Sequence, residues 1–356
     1  MTRSAVYRAH PTGSARGVLS LAVVMAACQP KPSTVAWTLS GEIFGAPWRG
    51  VIVTAADATD PSDAAAEAAA SVFAAVDAGV STWRPDSDVM RCRESQGAMP
   101  VSGETARMVV LAKQVASATG GAFEPTIGPL TRLWGVLGVE RQDWPADAEV
   151  QAAKARVGHE AVSVAWGDDG PTLDCAGREL DLSGLAPGYA ADRVSEAWAA
   201  LGLTSHLVDV GGEVRVRGPS PSGQRWRLGI ETPASGHLPG EALSRVVAVS
   251  NAAIATSGNY RHSYRVQGRE IVHEIDPRTG QPAADAGVAS ASVIADTAAV
   301  ADGWATALMV LGPPGLARLQ SQPGVEAMLL VVDPAGGYQE LTTPGWDRWR
   351  TDEEAR

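Results

Sequence analysis

The chain has 356 residues, of which 45% are hydrophobic and 19% are charged, enough for one large domain or two modest ones with a sizeable core. Its formal net charge of −11 argues against a general nucleic-acid binder, so we expect no nucleic-acid partner.

The first residues form a predicted export signal. A basic start precedes a short apolar run at residues 18–27, which is too short to cross a bilayer as a stable helix. The basic residues are Arg3, Arg8 and Arg16. We therefore expect a signal peptide at residues 1–27.

Cys28 is the predicted attachment point of a lipid. Small residues directly before a cysteine resemble a bacterial lipoprotein site, and a Pro-rich stretch follows. Met25 departs from the usual pattern and leaves a plain secretory signal as the alternative. With lipid on Cys28 and a tether at residues 28–40, the protein would be exported and anchored to a membrane surface of the bacterial cell envelope, on the periplasmic side.

Capping residues and apolar periodicity predict four helices. They cover residues 60–79, residues 104–119, residues 146–157 and a segment that begins near Gly188. The apolar side chains of the fourth helix are expected to point inward. These are Ala190, Val194, Ala197, Trp198 and Leu201.

The remaining regular segments read as strands. The predicted strands lie at 49–54, 206–210, 214–217 and 226–233, a loop covers 234–241, and a closing hairpin joins 325–332 to 338–341. We predict one α+β domain at residues 41–349, with mixed or antiparallel sheets and packed helices, followed by a polar tail at 350–356.

The stretch at residues 249–306 carries most of the chemical information. Residues 261–266 and 269–275 are predicted to form a hairpin, and the turn after it gathers polar side chains. These are His273, Asp276, Arg278 and Thr279. A strand at residues 291–295 and a small-residue helix follow.

That last helix holds Asp302 and Thr306 one turn apart, on the same face. A carboxylate and a hydroxyl are hard oxygen ligands that suit Mg²⁺. In the alternative reading, Thr306 bonds within its own helix and Asp302 faces water at the helix surface.

Three motifs in this order resemble the ApbE family of FAD:protein FMN transferases. They are Ala-Thr-Ser-Gly-Asn-Tyr at 255–260, His-Glu-Ile-Asp-Pro-Arg-Thr-Gly at 273–280 and Ala-Asp-Gly-Trp-Ala-Thr at 301–306. Further matches lie at 41–48, 80–87, 122–130 and 181–192. The resemblance spans most of the chain from Gly41 to the last strand.

The resemblance implies a site for FAD as substrate and Mg²⁺ as cofactor. It implies flavin contacts from Phe44, Trp83, Ala122, Phe123, Glu124, Asp181, Pro187, Ser257 and Ile275. It also implies metal ligands at Asp302, Thr306 and the Gly184 carbonyl, with a further carbonyl near Ala299.

Four of these residues depart from the family pattern. Phe44 stands for Met, Trp83 for Tyr, Glu124 for Asp, and Pro187 for Lys or Glu. An aromatic ring at position 83 can still stack on a flavin or adenine ring, or simply pack at the domain edge. Proline at position 187 removes any side-chain contact there, which is the change that most weakens the resemblance.

The implied reaction cuts FAD at its pyrophosphate, transfers FMN to a Thr or Ser hydroxyl of an exported acceptor protein, and releases AMP. The acceptor would be a flavoprotein such as a redox-chain subunit. His273 is the candidate general base and Asp276 the residue that orients it; otherwise His273 only stabilises the turn. The alternative functions are an FAD pyrophosphatase and a non-catalytic FAD-binding lipoprotein.

Cys92 and Cys175 remain in the mature chain. Two thiols in an exported protein can pair, and they can equally be two separate buried thiols. No Cys/His spacing predicts a zinc site.

Overall fold

The computed structural model describes residues 33–136, 141–233, 243–258 and 263–351. The expected signal peptide, Cys28, the loop expected at 234–241 and most of the expected polar tail lie outside the described residues. So do the first two residues of the predicted hairpin, 261 and 262. No helix within the described ranges is long and apolar enough to cross a membrane.

Strands and helices alternate in groups along the described chain. The strands are β1 (Thr34–Ile43), β2 (Ala46–Ala55), β3 (Met99–Pro100), β4 (Ser163–Gly167), β5 (Gly170–Asp174), β6 (His206–Val210), β7 (Glu213–Arg217), β8 (Trp226–Glu231), β9 (Leu243–Val249), β10 (Ala253–Gly258), β11 (Ser263–Val266), β12 (Arg269–Val272), β13 (Ile275–Asp276), β14 (Gln281–Pro282), β15 (Val288–Ala295), β16 (Glu326–Val332) and β17 (Tyr338–Thr342). The helices are α1 (Ser62–Val80), α2 (Asp88–Glu94), α3 (Gly103–Thr119), α4 (Gly128–Leu133), α5 (Asp147–Lys154), α6 (Ala186–Ala200) and α7 (Ala298–Leu311).

Eight strands form one antiparallel sheet in the order β1-β2-β6-β7-β10-β15-β16-β17. Helices α1, α6 and α7 cover one face of this sheet, with α3 packed against α1 and α7, and the β8–β9 hairpin with Trp346 covers the other face. The predicted α+β class with antiparallel sheets and packed helices is confirmed.

Strand β10 shows how residue alternation builds both layers. Ala253 and Ala255 belong to apolar clusters that include α7, whereas Ile254 lies in the cluster with Trp226 and Trp346. Successive side chains of a strand point to opposite faces, so the alanines leave room for α7 to lie close to the sheet.

The predicted helices are confirmed with small shifts at their ends. Pro187 lies in the first turn of α6, where a missing N–H costs no helical hydrogen bond. One expectation is wrong: Leu201 is exposed, because α6 ends at Ala200 and Leu201 is its C-terminal capping residue.

The ends of the domain differ from the expected boundaries. Strand β1 begins at Thr34, inside the expected tether, because it pairs along its whole length with β2. At the other end, Arg350 bridges to Val247 and Thr351 is buried, so the expected polar tail begins as packed chain.

Cys92 on α2 and Cys175 after β5 form a disulfide, with their Cα atoms 5.8 Å apart. Both residues are buried in the main apolar cluster. The bridge joins α2 to the segment that leads toward residues 179–181, and both parts line the cleft described below.

Candidate active site

Helices α6 and α7 meet at their N-terminal ends, and glycine makes the meeting close. A Cβ atom at Gly188 would lie 2.4 Å from the Ala298 carbonyl oxygen, which no real side chain tolerates. The Gly188 N–H donates to Oδ2 of Asp302 at 3.2 Å. The start of α6 is thereby bonded to a side chain on α7. We call the contact region of residues 184–192 and 297–306 the α6–α7 junction.

Gly184, in the loop before α6, lies against Thr306 of α7. A Cβ at Gly184 would be 3.0 Å from the Thr306 hydroxyl oxygen and 3.5 Å from the Phe123 ring. The structure thus brings together Gly184, Thr306 and Phe123, three residues that the sequence resemblance assigned to one site.

Asp302 is buried, with only 5% of the residue exposed, so the alternative in which it faces water at the helix surface is wrong. The small residues around it let α6 approach and cover it. Burial raises the pKa of Asp302, because a charged carboxylate is poorly solvated there, and the neighbouring Asp192 carboxylate adds to the effect.

Ala299 lies at the start of α7 and is buried. Its N–H and that of Ala298 both donate to the Asp192 carboxylate at 2.9 Å. Asp192 also lies 3.7 Å from the Arg215 guanidinium on β7. The pKa of Asp192 is raised to about 6, mainly by burial.

The donor set at the junction suits a hard divalent cation. Asp302 and Thr306 offer oxygens, Gly184 and Ala299 can add carbonyls, and the missing Cβ of Gly184 leaves space beside Thr306. Within the described residues no group of three His, Cys, Asp or Glu side chains forms a metal cluster, so hydroxyl and carbonyl ligands would complete such a site.

A cleft of about 360 Å³ opens beside the junction. Trp83 stands at its edge with 75% of the residue exposed, and Asp181 forms part of its wall. Arg93 and Arg132 also line it, and Arg132 forms an ion pair with Glu179 at 2.5 Å. A large exposed ring next to arginines and an apolar wall can hold an aromatic ligand that carries phosphate.

Asp181 is held by its own loop. Its Oδ1 accepts from the Ser183 N–H at 3.1 Å and from the Ser183 hydroxyl at 2.7 Å, while Oδ2 lies 3.3 Å from the Thr131 hydroxyl. Residues 181–184 therefore run from the cleft wall to the contact with Thr306 in a fixed turn.

The Glu124 side chain bonds inside the protein rather than into the cleft. One oxygen accepts from the N–H and hydroxyl of Thr126, and the other lies 2.7 Å from Nδ1 of His159. Burial alone raises the Glu124 pKa, but the bonds from His159 and Thr126 outweigh it and hold the pKa below its ordinary value. The same bond raises the pKa of His159.

His273 lies half-buried after β12, and its carboxylate neighbour differs from the expected one. Nε2 of His273 is 2.8 Å from Oε1 of Glu274. Asp276 instead pairs with Arg278, with each carboxylate oxygen 2.9 Å from a guanidinium nitrogen. The short turn places Arg278 beside Asp276, and this ion pair helps to hold the loop.

The loop that follows His273 is anchored to α4. The Gly280 carbonyl accepts from the Trp134 indole N–H at 2.7 Å, and a Cβ at Gly280 would strike Val150. Helix α4 also contributes Gly128 and Arg132 to the cleft lining. The loop is thus fixed to an element that shapes the cleft.

The other residues assigned to flavin binding are spread over several elements. Ala122 is buried, Ile275 is buried in an apolar cluster with Leu130 and Trp134, and Ser257 is half-buried in β10. Phe44 occupies the β1–β2 turn with a positive φ of 55° and packs against the main core.

Sequence reasoning did not find the partners that hold these residues. His159, Thr131 and Arg215 carried no local pattern, because each contacts a residue that is distant in sequence and brought close by folding. Glu274 stood beside His273 in the motif at 273–280 but was given no role. Asp192 is the last residue of the matched block at 181–192, so the resemblance pointed to this residue but assigned it no role.

Comparison with known proteins agrees with this arrangement. The ApbE family model matches residues 44–329. A protein of Salmonella typhimurium named FAD:protein FMN transferase is 34% identical over 348 residues, covering 92% of this chain and 94% of its own length. The FAD:protein FMN transferase of Escherichia coli K12 is 32% identical with the same coverage, 92% and 94%.

Solved structures share the fold. The apo form of the Pseudomonas stutzeri flavinyl transferase ApbE superposes with a TM-score of 0.77 at 30% identity, covering 89% of this chain and 97% of that one. The flavin transferase ApbE of Vibrio cholerae gives a TM-score of 0.75 at 29% identity, covering 89% and 99%. The chain, matched over most of its length in sequence and in structure, belongs to the ApbE family.

Proposed function

We propose that this protein transfers FMN from FAD to a Thr or Ser hydroxyl of an exported acceptor protein in the presence of Mg²⁺. The acceptor oxygen attacks the phosphorus on the flavin side of the pyrophosphate. The bond from that phosphorus to the bridging oxygen breaks, AMP leaves with that oxygen, and the hydroxyl proton passes to a base. One new phosphoester bond replaces one phosphoanhydride bond.

One observation carries the proposal: the short segment 181–184 joins the cleft to the α6–α7 junction. Asp181 lines the cleft together with exposed Trp83, and Gly184 lies against Thr306. A ligand held by its ring in the cleft would therefore have its phosphates next to the oxygen donors of α7.

Asp302 and Thr306, with the carbonyls of Gly184 and Ala299, would hold Mg²⁺. Bound there, the ion would neutralise charge on the two phosphates. Within the described chain, the carboxylate of buried Asp302 accepts one hydrogen bond, from the Gly188 N–H. Its remaining lone pairs can bind a cation.

His273 is the proposed base. A hydroxyl is a poor nucleophile near neutral pH, and a positioned proton acceptor typically contributes about 10²–10⁴-fold. Nε2 of His273 lies 2.8 Å from Oε1 of Glu274, a contact that helps to fix the orientation of the ring.

Trp83 would stack on a ring of FAD, and Asp181 would contact the flavin from the cleft wall. Pro187 provides no side-chain contact, but it suits the first turn of α6. The departure at position 187 is therefore compatible with a working site.

The experiment that tests this function incubates purified protein with FAD and Mg²⁺, with and without a Thr-containing flavoprotein acceptor, and follows AMP, FMN and acceptor mass. Flavinylated acceptor with equimolar AMP is the expected result. FMN and AMP without modified acceptor would instead indicate a pyrophosphatase, and unchanged FAD would indicate a binding protein.

We further propose that the protein is exported and held at the membrane by lipid on Cys28, where it would meet exported flavoproteins such as redox-chain subunits. The Cys92–Cys175 disulfide supports an oxidising compartment. Mass spectrometry of the membrane fraction should find a diacylglyceryl group on Cys28, with Cys28→Ser as the control. A soluble product with unmodified Cys28 would contradict this.

A further inference from the structure

Asp192 is a buried carboxylate that the proposed chemistry does not use. It lies in the middle of α6, yet it bonds to another helix: its two oxygens accept the N–H groups of Ala298 and Ala299, both at 2.9 Å. These are the first two residues of α7, whose N–H groups have no partner within their own helix.

The bond network between the two helices is reciprocal. Asp192 of α6 satisfies the start of α7, and Asp302 of α7 accepts from Gly188 at the start of α6. Each helix thus supplies a carboxylate to the free N–H groups of the other, where the helix dipole favours negative charge. These three hydrogen bonds, together with the close approach of Gly188 to Ala298, fix the position of α7 relative to α6.

We propose that Asp192 is a positioning residue for the metal site and that it acts through the main chain of α7. Its bond to the Ala299 N–H holds the residue whose carbonyl is one proposed ligand. Its hold on the first turn sets the angular position of Asp302 and Thr306 with respect to Gly184. This inference rests on the proposed Mg²⁺-dependent function.

The chain offers a matched control for this role. Asp88 on α2 is also buried, with 8% of the residue exposed as for Asp192. It also bonds the start of another helix, accepting from the Ser102 N–H at 2.9 Å and the Thr105 hydroxyl at 2.7 Å. Asp88→Asn thus makes the same chemical change at a helix start that carries no proposed metal ligand.

The test measures Mn²⁺ binding to protein without FAD, by the electron paramagnetic resonance signal of free Mn²⁺, alongside thermal unfolding. Asp192→Asn keeps one acceptor and nearly the same volume. It should weaken Mn²⁺ binding about 10–100-fold, the range seen when a residue that orients metal ligands is changed. Asp88→Asn should lower the Tm to a similar extent and leave Mn²⁺ affinity unchanged. If Asp192→Asn does not fold, Asp192→Ser is the second variant, with the same expected weakening.

Three results would overturn the inference. If Asp192→Asn binds Mn²⁺ as the unchanged protein does, or if Asp88→Asn weakens binding equally, Asp192 serves stability alone, and the proposed function stands. If Asp302→Ala binds Mn²⁺ as well as the unchanged protein, the metal site itself is wrong and Asp192 loses its role with it.

Discussion

The α6–α7 junction and the cleft beside Trp83 are built differently. At the junction, two buried carboxylates bond main-chain N–H groups, and glycine is required where a Cβ would collide. In the cleft, an exposed ring and long arginine side chains form the lining. The structure of the junction is therefore set by backbone geometry. Ligand binding in the cleft instead depends on the chemical character of the side chains that line it.

This difference explains where the chain departs from its family. Trp83 replaces one aromatic ring by another on an exposed edge, which keeps a stacking surface. Pro187 occupies a helical turn that tolerates it. Gly188, Asp302 and Thr306, whose contacts hold α6 and α7 together, match the family motifs.

The largest expected effect breaks the junction. Asp302→Ala should lower kcat for FMN transfer by about 10⁴-fold, because it removes the carboxylate ligand of the metal that neutralises the phosphates. In the absence of metal the variant should stay folded, because the substitution removes a carboxylate whose charged form is destabilised by burial. Steady-state kinetics and thermal unfolding check this; Mg²⁺-dependent transfer at the unchanged rate would contradict it.

Loss of the base should have the next largest effect. His273→Ala should slow transfer by about 10³-fold while FAD binds with near-native affinity, because the base acts only on the acceptor proton. Glu274→Gln should retain more activity than His273→Ala, because the imidazole remains and the amide oxygen can still contact Nε2. If FAD binding and Tm fall together in His273→Ala, the residue holds the turn and the base lies elsewhere.

A smaller effect is expected in the cleft. Trp83→Ala should raise the Kd for FAD about 10-fold, in line with about 1–3 kcal/mol for an aromatic–base stack, with little change in kcat at saturation. Trp166, 57% exposed on β4, provides the matched control, and Trp166→Ala should leave FAD binding unchanged. Equal effects of both substitutions on flavin fluorescence titrations would remove Trp83 from the site.

A last prediction concerns stability rather than transfer, and it involves the packing behind α6. His206 is buried, its Nε2 is 2.7 Å from the Ser195 hydroxyl, and burial lowers its pKa to about 4. The unfolded chain binds this proton more readily, so stability is full above pH of about 6.5 and falls by about 3 kcal/mol as pH drops to 4. His206→Gln should flatten that part of the denaturation profile; an unchanged slope would contradict it.

The sequence alone predicted the helices and strands that are encoded by local residue patterns. Turn residues, caps and apolar periodicity predicted α1, α3 and α6 and the hairpin of β11 and β12 within a few residues. The start of β1 at Thr34 was missed because its partner β2 defines it. The strand β10 reads as a small polar stretch, since its alanines reflect the closeness of α7.

The site residues followed the same division. Motifs placed Asp302, Thr306 and Gly184 in one set before their contact was visible, because the family resemblance carries non-local information. Residue patterns alone left open whether Asp302 was exposed and did not pair His273 with Glu274. The burial of Asp302 arises from α6, which lies far from it in the chain, so no local pattern encodes it. The contact between His273 and Glu274 depends on how the turn orients two adjacent side chains.

The central claim is that the metal at the α6–α7 junction and the ring in the cleft belong to one site. Anomalous diffraction from crystals grown with Mn²⁺ and ADP tests it most directly. We predict one Mn²⁺ peak bonded to Asp302 and Thr306, with the nucleotide phosphates beside it and the adenine in the cleft near Trp83. A Mn²⁺ peak elsewhere on the protein, with the junction empty and the nucleotide bound outside the cleft, would contradict the account.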